Sequence, residues 1–103
     1  MTLYVREFRP RAWFLLGDQE RAEDWYLDVN CDQGAAGFSL LVKLSETERE
    51  EHRVPGRVFI EYLAARIAAW PEQYRDRDLT REMGGEVTDA IVKFKQARTD
   101  VDW

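Results

Sequence analysis

Residues 24–32 read DWYLDVNCD, and their alternation decides the fold. Trp25, Leu27, Val29 and Cys31 fall on one side of an extended chain, and Asp24, Tyr26, Asp28, Asn30 and Asp32 on the other. Period-two alternation of this length marks a strand with one face on a core. Residues 32–37, DQGAAG, supply turn formers, and residues 38–44, FSLLVKL, return with Phe38, Leu40, Val42 and Leu44 on one face. The two segments predict an antiparallel hairpin with a longer, glycine-containing loop. A register setting Tyr26 across from Lys43 and Asp28 across from Leu41 keeps the apolar faces together, as does a slip of two residues.

Toward the N-terminus, LYVREF (3–8) and RAWFLL (11–16) read as strands, with Pro10 marking a bulge or bend and GDQE (17–20) a turn. Toward the C-terminus the period changes. Ser45 and Glu48 stand at capping-box spacing, which predicts a short polar helix to about Arg53, ended by Val54, Pro55 and Gly56. RVFIEYLAARIAAW (57–70) is the strongest helix, with a stripe of Ile60, Leu63, Ile67 and Trp70. Its Ala64, Ala65, Ala68 and Ala69 leave room for another element, and Pro71 stops it. PEQYRDRDLTREMGG (71–85) reads mostly as loop, before a last helix from Glu86 to Gln96 that carries Val87, Ala90, Ile91 and Phe94 on one side. Strands first and helices after argue for the α+β class. The expectation is one domain over residues 1–103: an antiparallel meander of about four strands, with two to three helices packed on one of its faces.

A chain of 103 residues suffices for a core without disulfides or a structural metal. Hydrophobic residues make up 45% and charged residues 34%, and no apolar run approaches a bilayer span. No membrane partner is therefore expected. The N-terminal residues lack a basic region followed by an apolar one, so no secretory signal is expected. The single cysteine, Cys31, fits a cytoplasmic location. The net charge of −5 argues against nucleic-acid binding, which requires basic charge to displace counterions. The acidic excess lies in residues 22–56, with eight acidic and three basic side chains.

Asp28, Asn30 and Asp32, followed by Gly34, resemble the opening of a calcium loop. The pattern fails where it counts: Gln33 takes the glycine position, Ser39 takes the place of the bidentate glutamate, and the flanks are strands. Alternate residues of a strand stand about 6.7 Å apart along the chain, too spread for one ion. No metal and no cofactor are expected. Asp24, Asp28 and Asp32 share a face as any four-residue spacing on a strand does, which is no sign of paired catalytic carboxyls. Cys31 on the apolar face reads as a small hydrophobe, and His52 in EREEHR as solvated, so no thiol–imidazole pair is assigned. The EMGGE stretch lacks the residues of a phosphate loop.

The thirteen aromatic residues exceed what one face of a small sheet needs. The leading expectation is a non-enzymatic protein-interaction module. Its surface would be the outer sheet face, with Trp13, Asp24, Tyr26, Asp28, Asn30, Leu41 and Lys43, beside the acidic segment Glu46–Glu51. An inhibitor or immunity-type protein fits this size and charge, as do many unrelated small proteins. Against this stands cover of that face by the C-terminal segment with Trp103, or by a second copy. The rival expectation is a small-molecule enzyme or ligand-binding homodimer, its pocket between sheet and helices lined by His52, Tyr62, Arg66, Tyr74 and Arg75. A homodimer joined through its sheets is a third. No catalytic residue is assigned.

Overall fold

A computed structural model describes residues 1–33 and 36–103. The longer loop expected over residues 32–37 needs correction: strand pairing continues through Asp32 and Gln33 opposite Gly37 and Ala36, and residues 34–35 lie outside the described residues, as do the side chains of residues 32, 33 and 36. Strands β1 (Leu3–Arg9), β2 (Trp13–Asp18), β3 (Trp25–Gln33) and β4 (Ala36–Lys43) form one antiparallel sheet in the order β1-β2-β3-β4. Helices α1 (Glu46–Arg53) and α2 (Arg57–Ala69), a 3-10 helix (Pro71–Arg77) and α3 (Thr80–Ala97) follow. The class and the meander are those expected. The β3–β4 register sets Tyr26 opposite Lys43 and Asp28 opposite Leu41.

The helices, however, cover both faces of the sheet instead of one. Leu15, Leu27, Val29, Cys31, Leu40 and Val42 pack against Ile60, Leu63, Ala64 and Ile67 of α2. Phe14, Leu16, Tyr26 and Leu41 pack against Val87, Ala90, Ile91 and Phe94 of α3, with Trp103. The reason lies in β2. Trp13, Phe14, Leu15 and Leu16 are consecutive and all buried, and a strand with an unbroken apolar run is one sandwiched on both sides.

The capping box forms: the Ser45 hydroxyl accepts from the Glu48 N–H, and the Glu48 carboxylate accepts from the Ser45 N–H. No residue of α1 is fully buried, and side-chain bonds tether it. Glu48 is held by the guanidinium of Arg77, 3.0 Å from one of its nitrogens, which also donates to the Lys43 carbonyl at 2.8 Å. Burial pushes the Glu48 carboxyl up, but the bonds from Arg77 and Ser45 outweigh it and leave the group below its ordinary value. Gly56 makes the turn into α2 at φ 73°, a left-handed conformation that glycine adopts without strain.

Two expectations in the second half need correction. Residues 71–85 are not mostly loop: a 3-10 helix occupies 71–77, and α3 begins at Thr80, running through Gly84 and Gly85. Each helical glycine costs about 1 kcal/mol relative to alanine. The cost is met by a continuous stripe of Leu79, Met83, Val87, Ala90, Ile91 and Phe94 against the sheet. The start is also fixed from outside, since one Asp78 carboxylate oxygen accepts from the N–H and hydroxyl of Thr80 and from the Leu41 N–H. Trp70 does not join the core stripe. Pro71 disfavours helical backbone at the residue before it, so α2 ends at Ala69 and Trp70 is 54% exposed beside Arg66.

Candidate functional site

The expected sheet-face surface is not open. Tyr26 and Leu41 lie beneath α3, at 5% and 1% exposure. Trp13 is buried on the opposite face, against the α2 cluster. Asp24 is buried within 3.2 Å of the Lys43 ammonium. The aromatic surplus packs internally: Trp103 lies 5.2 Å from Phe8, 5.9 Å from Phe14 and 6.1 Å from Phe94 between ring centroids, and its indole N–H donates to the Arg98 carbonyl at 3.1 Å. Alternation fixed which residues share a face; it carried no information on whether that face meets water or a second helix. The C-terminal cover weighed against the surface is what the fold contains.

Of the expected surface residues, Lys43 is exposed, and Asp28 and Asn30 keep some access. Asp28 and Asn30 line a cleft of about 250 Å³ with Arg11, Ser39, Lys95 and Trp103. The Asn30 amide donates to the Arg11 carbonyl at 3.1 Å, which leaves it as a brace for the β1–β2 turn. Asp28 is half-buried between Phe14 and Leu41 on the neighbouring strands. Burial and the nearby Asp78 carboxylate push its carboxyl up to about 6, against a smaller opposing pull from Lys95. Lys95 itself sits over the Phe14 and Trp103 rings.

Three residues of the rival pocket, Tyr62, Arg66 and Tyr74, come together, and Arg75 and His52 are engaged elsewhere. Arg66 donates to the phenol oxygens of Tyr74 at 3.3 Å and Tyr62 at 3.4 Å. Arg75 instead pairs with Glu72 and covers Phe38. His52 is not solvated as expected: its Nε2 lies 2.7 Å from a Glu7 oxygen, and its ring meets Trp25 edge-on at 5.0 Å. It pins α1 to the sheet. Cys31 is fully buried, and burial pushes its thiol up, away from the reactive thiolate. Ile60, Leu63, Ala64 and Ile67 are packed between the sheet and α2, all at 4% exposure or less, and the cleft that does open between Trp13, Val29 and Asn30 of the sheet and Ala64, Ala65 and Ala68 of α2 holds none of the five expected pocket residues. Among the described residues no group of three or more His, Cys, Asp or Glu stands ready for a metal ion. No helix there is long and apolar enough to cross a membrane.

The feature left open is the outer side of α2. Ile60, Leu63, Ala64 and Ile67 face the sheet. At about 100° per residue, positions 58, 62, 65 and 69 fall within roughly 60° of one another on the far side. They are Val58, Tyr62, Ala65 and Ala69, all exposed and none charged. Val58 at 65% and Tyr62 at 57% exposure stand on this side, and the exposed Val54 (84%) and Trp70 (54%) lie just before and just after the helix. The three charged residues of α2 sit on its flanks. Arg57 and Glu61 belong to a network in which Glu61 accepts from Arg57, Arg9 and the Trp13 indole, each at 3.3 Å. A groove of about 510 Å³ runs along that flank, floored by Ala64, Ala65, Ala68 and Trp13 and edged by Arg9 and Arg11. At the other end Val54 adjoins the exposed Glu46, Glu50 and Glu51 of α1. Sequence reasoning named Tyr62 as a pocket residue, Ala65 and Ala69 as leaving room for another element and Glu46–Glu51 as an acidic segment, but gave no surface role to Val54 and Val58. The signal was present: α2 carries only three charges in thirteen residues, so its apolar residues run all the way round.

The chain matches no protein-family model, no curated protein and no solved structure.

Proposed function

We propose that the chain is a protein-interaction module that docks its partner on the outer side of α2, with the acidic α1 alongside. One observation carries this reading: the solvent side of α2 is an uncharged stripe of Val58, Tyr62, Ala65 and Ala69, with the exposed Val54 and Trp70 just before and just after the helix. A helix that is apolar all round is normally buried on all sides, and an apolar patch with a charged rim marks an interaction surface. Aromatic anchors such as Tyr62 and Trp70 are the side chains that carry most of the affinity in protein interfaces. The rim of Arg9, Arg57 and Arg66 with Glu46, Glu50 and Glu51 sets orientation more than affinity.

The test is a Val58→Asp, Tyr62→Asp double variant. Both side chains are exposed, so the far-UV circular dichroism and melting temperature are expected to stay within a few degrees of wild type. Capture of interacting chains by the tagged protein, its own copies included, is expected to fall by at least tenfold. Unchanged capture by a folded double variant refutes the reading.

A further inference from the structure

We propose that the partner of the α2 face is a second copy of this chain, docked with the two α2 helices antiparallel across a two-fold axis. The proposal rests on the docking reading above and names its occupant. The stripe is divided by size: Val58 and Tyr62 are bulky and lie in the first half of the helix, while Ala65 and Ala69 are small and lie in the second. Antiparallel self-pairing centred between residues 63 and 64 sets Val58 against the partner's Ala69 and Tyr62 against the partner's Ala65. Both contacts then occur twice, as an isologous interface requires. Each bulky side chain meets a site where only a methyl group stands, so the helix backbones approach closely and the ridges interlock.

The charges permit this arrangement. In an antiparallel pair each flank of one helix meets the same flank of the other. The two Glu61 side chains then share one flank and the two Arg66 side chains the other, each pair offset by about 7.5 Å along the helices, and Glu61 is neutralised within its own copy by Arg9 and Arg57. The acidic α1 lies toward the start of α2 and Arg66 toward its end; the two-fold brings each copy's Arg66 and Trp70 end toward the other copy's Glu50 and Glu51. The area is also substantial. Val54, Val58, Tyr62 and Trp70 expose on the order of 450–500 Å² between them at their fractional exposures, more than half of the roughly 800 Å² per partner of a standard interface.

Sedimentation equilibrium or light scattering on the purified chain tests this. The expected mass is twice the 12.2 kDa of one chain, falling toward the single-chain value on dilution. Ala65→Trp, at an exposed position that leaves the fold intact, sets its indole against the partner's Tyr62 and is expected to give the monomer. Exchanging the pair within one chain, Tyr62→Ala with Ala65→Tyr, recreates the same contact from the other side and is expected to restore the dimer. A wild-type dimer that Ala65→Trp leaves unaffected overturns the proposal, since the copies then meet elsewhere. A wild-type monomer up to about 100 µM also overturns it. In that case, capture of a different protein that Val58→Asp abolishes leaves the docking reading standing, and capture indifferent to Val58→Asp removes both.

Discussion

Asp28→Asn is expected to stabilise the protein at neutral pH and to lose that advantage in acid. Asp28 is half-buried on β3, and its carboxyl is pushed from the ordinary 3.8 up to about 6, first by burial, then by Asp78, with Lys95 pulling weakly the other way. A folded-state value above the unfolded one means that the folded protein holds the proton more tightly. The contribution of Asp28 to stability is therefore most favourable below about pH 4, declines as the pH rises toward 6, and stays at its least favourable level above. The difference between 3.8 and about 6 corresponds to roughly 3 kcal/mol at about 1.4 kcal/mol per unit. The carboxyl borders the cleft, and a buried amide carries a desolvation cost of its own, so a gain of about 1–2 kcal/mol is expected for asparagine at pH 7.5. That corresponds to a rise in melting temperature of roughly 4–15 °C for a domain of this size.

The assay is a set of urea or thermal unfolding curves for wild type and variant from pH 4 to 8. Shifted groups not coupled to Asp28, such as Glu48, are common to both proteins and cancel in the difference, while the repulsion between Asp28 and Asp78 is part of what the difference reads. The gain should grow between pH 4 and 6 and level off above 6.5. A gain of equal size at every pH refutes the electrostatic argument, because it would reflect packing alone. A loss at pH 7.5 refutes it more directly, because the carboxylate would then be making favourable contacts in its ionised form.

Two further substitutions probe the sheet and its cover. Gly17→Ala places a methyl carbon 2.8 Å from the Tyr4 ring, and that ring is held by Arg6, which donates to its hydroxyl at 3.0 Å; a loss of about 1–2 kcal/mol is expected, read as a lower urea midpoint with unchanged slope. Trp103→Ala removes the ring that contacts Phe8, Phe14 and Phe94 and is expected to cost about 2–4 kcal/mol with loss of near-ultraviolet dichroism; a cost under about 0.5 kcal/mol would mean that the tail does not cover the sheet.

What was legible in the sequence follows from how local each signal is. The β3 alternation, the Ser45–Glu48 box and the helix stop at Pro71 each depend on a few neighbouring residues, and all three stand in the structure. The partner of a face is a long-range property. Tyr26 looked solvent-facing because its hydroxyl is polar, yet its ring lies beneath α3, where burial pushes the phenol up. His52 looked solvated among five charged neighbours, yet it packs on Trp25 and Glu7 of the sheet. The glycines at 84 and 85 looked like a helix break because their local propensity is poor, and tertiary packing overrode it. The unbroken apolar run of β2 was the one local sign that the sheet had helices on both sides.

The same chain supplies the comparison that makes α2 unusual. α3 also packs one side on the sheet, and its other side exposes Arg81, Glu82, Glu86, Asp89 and Lys93, with Val92 the one large apolar side chain among them. α1 exposes Glu46, Glu50, Glu51 and Arg53. These are the largely charged solvent faces expected of helices packed on one side. α2, between them in sequence, exposes Val58, Tyr62, Ala65 and Ala69 instead. General hydrophobicity does not account for this, because the other two helices draw on the same composition and keep charge on the water side. Nor does core packing, because Ile60, Leu63, Ala64 and Ile67 already fill the sheet side. Val58, Tyr62, Ala65 and Ala69 stand exposed on the far side of α2, and the proposed partner on that face is the reading that treats all three helices by one rule.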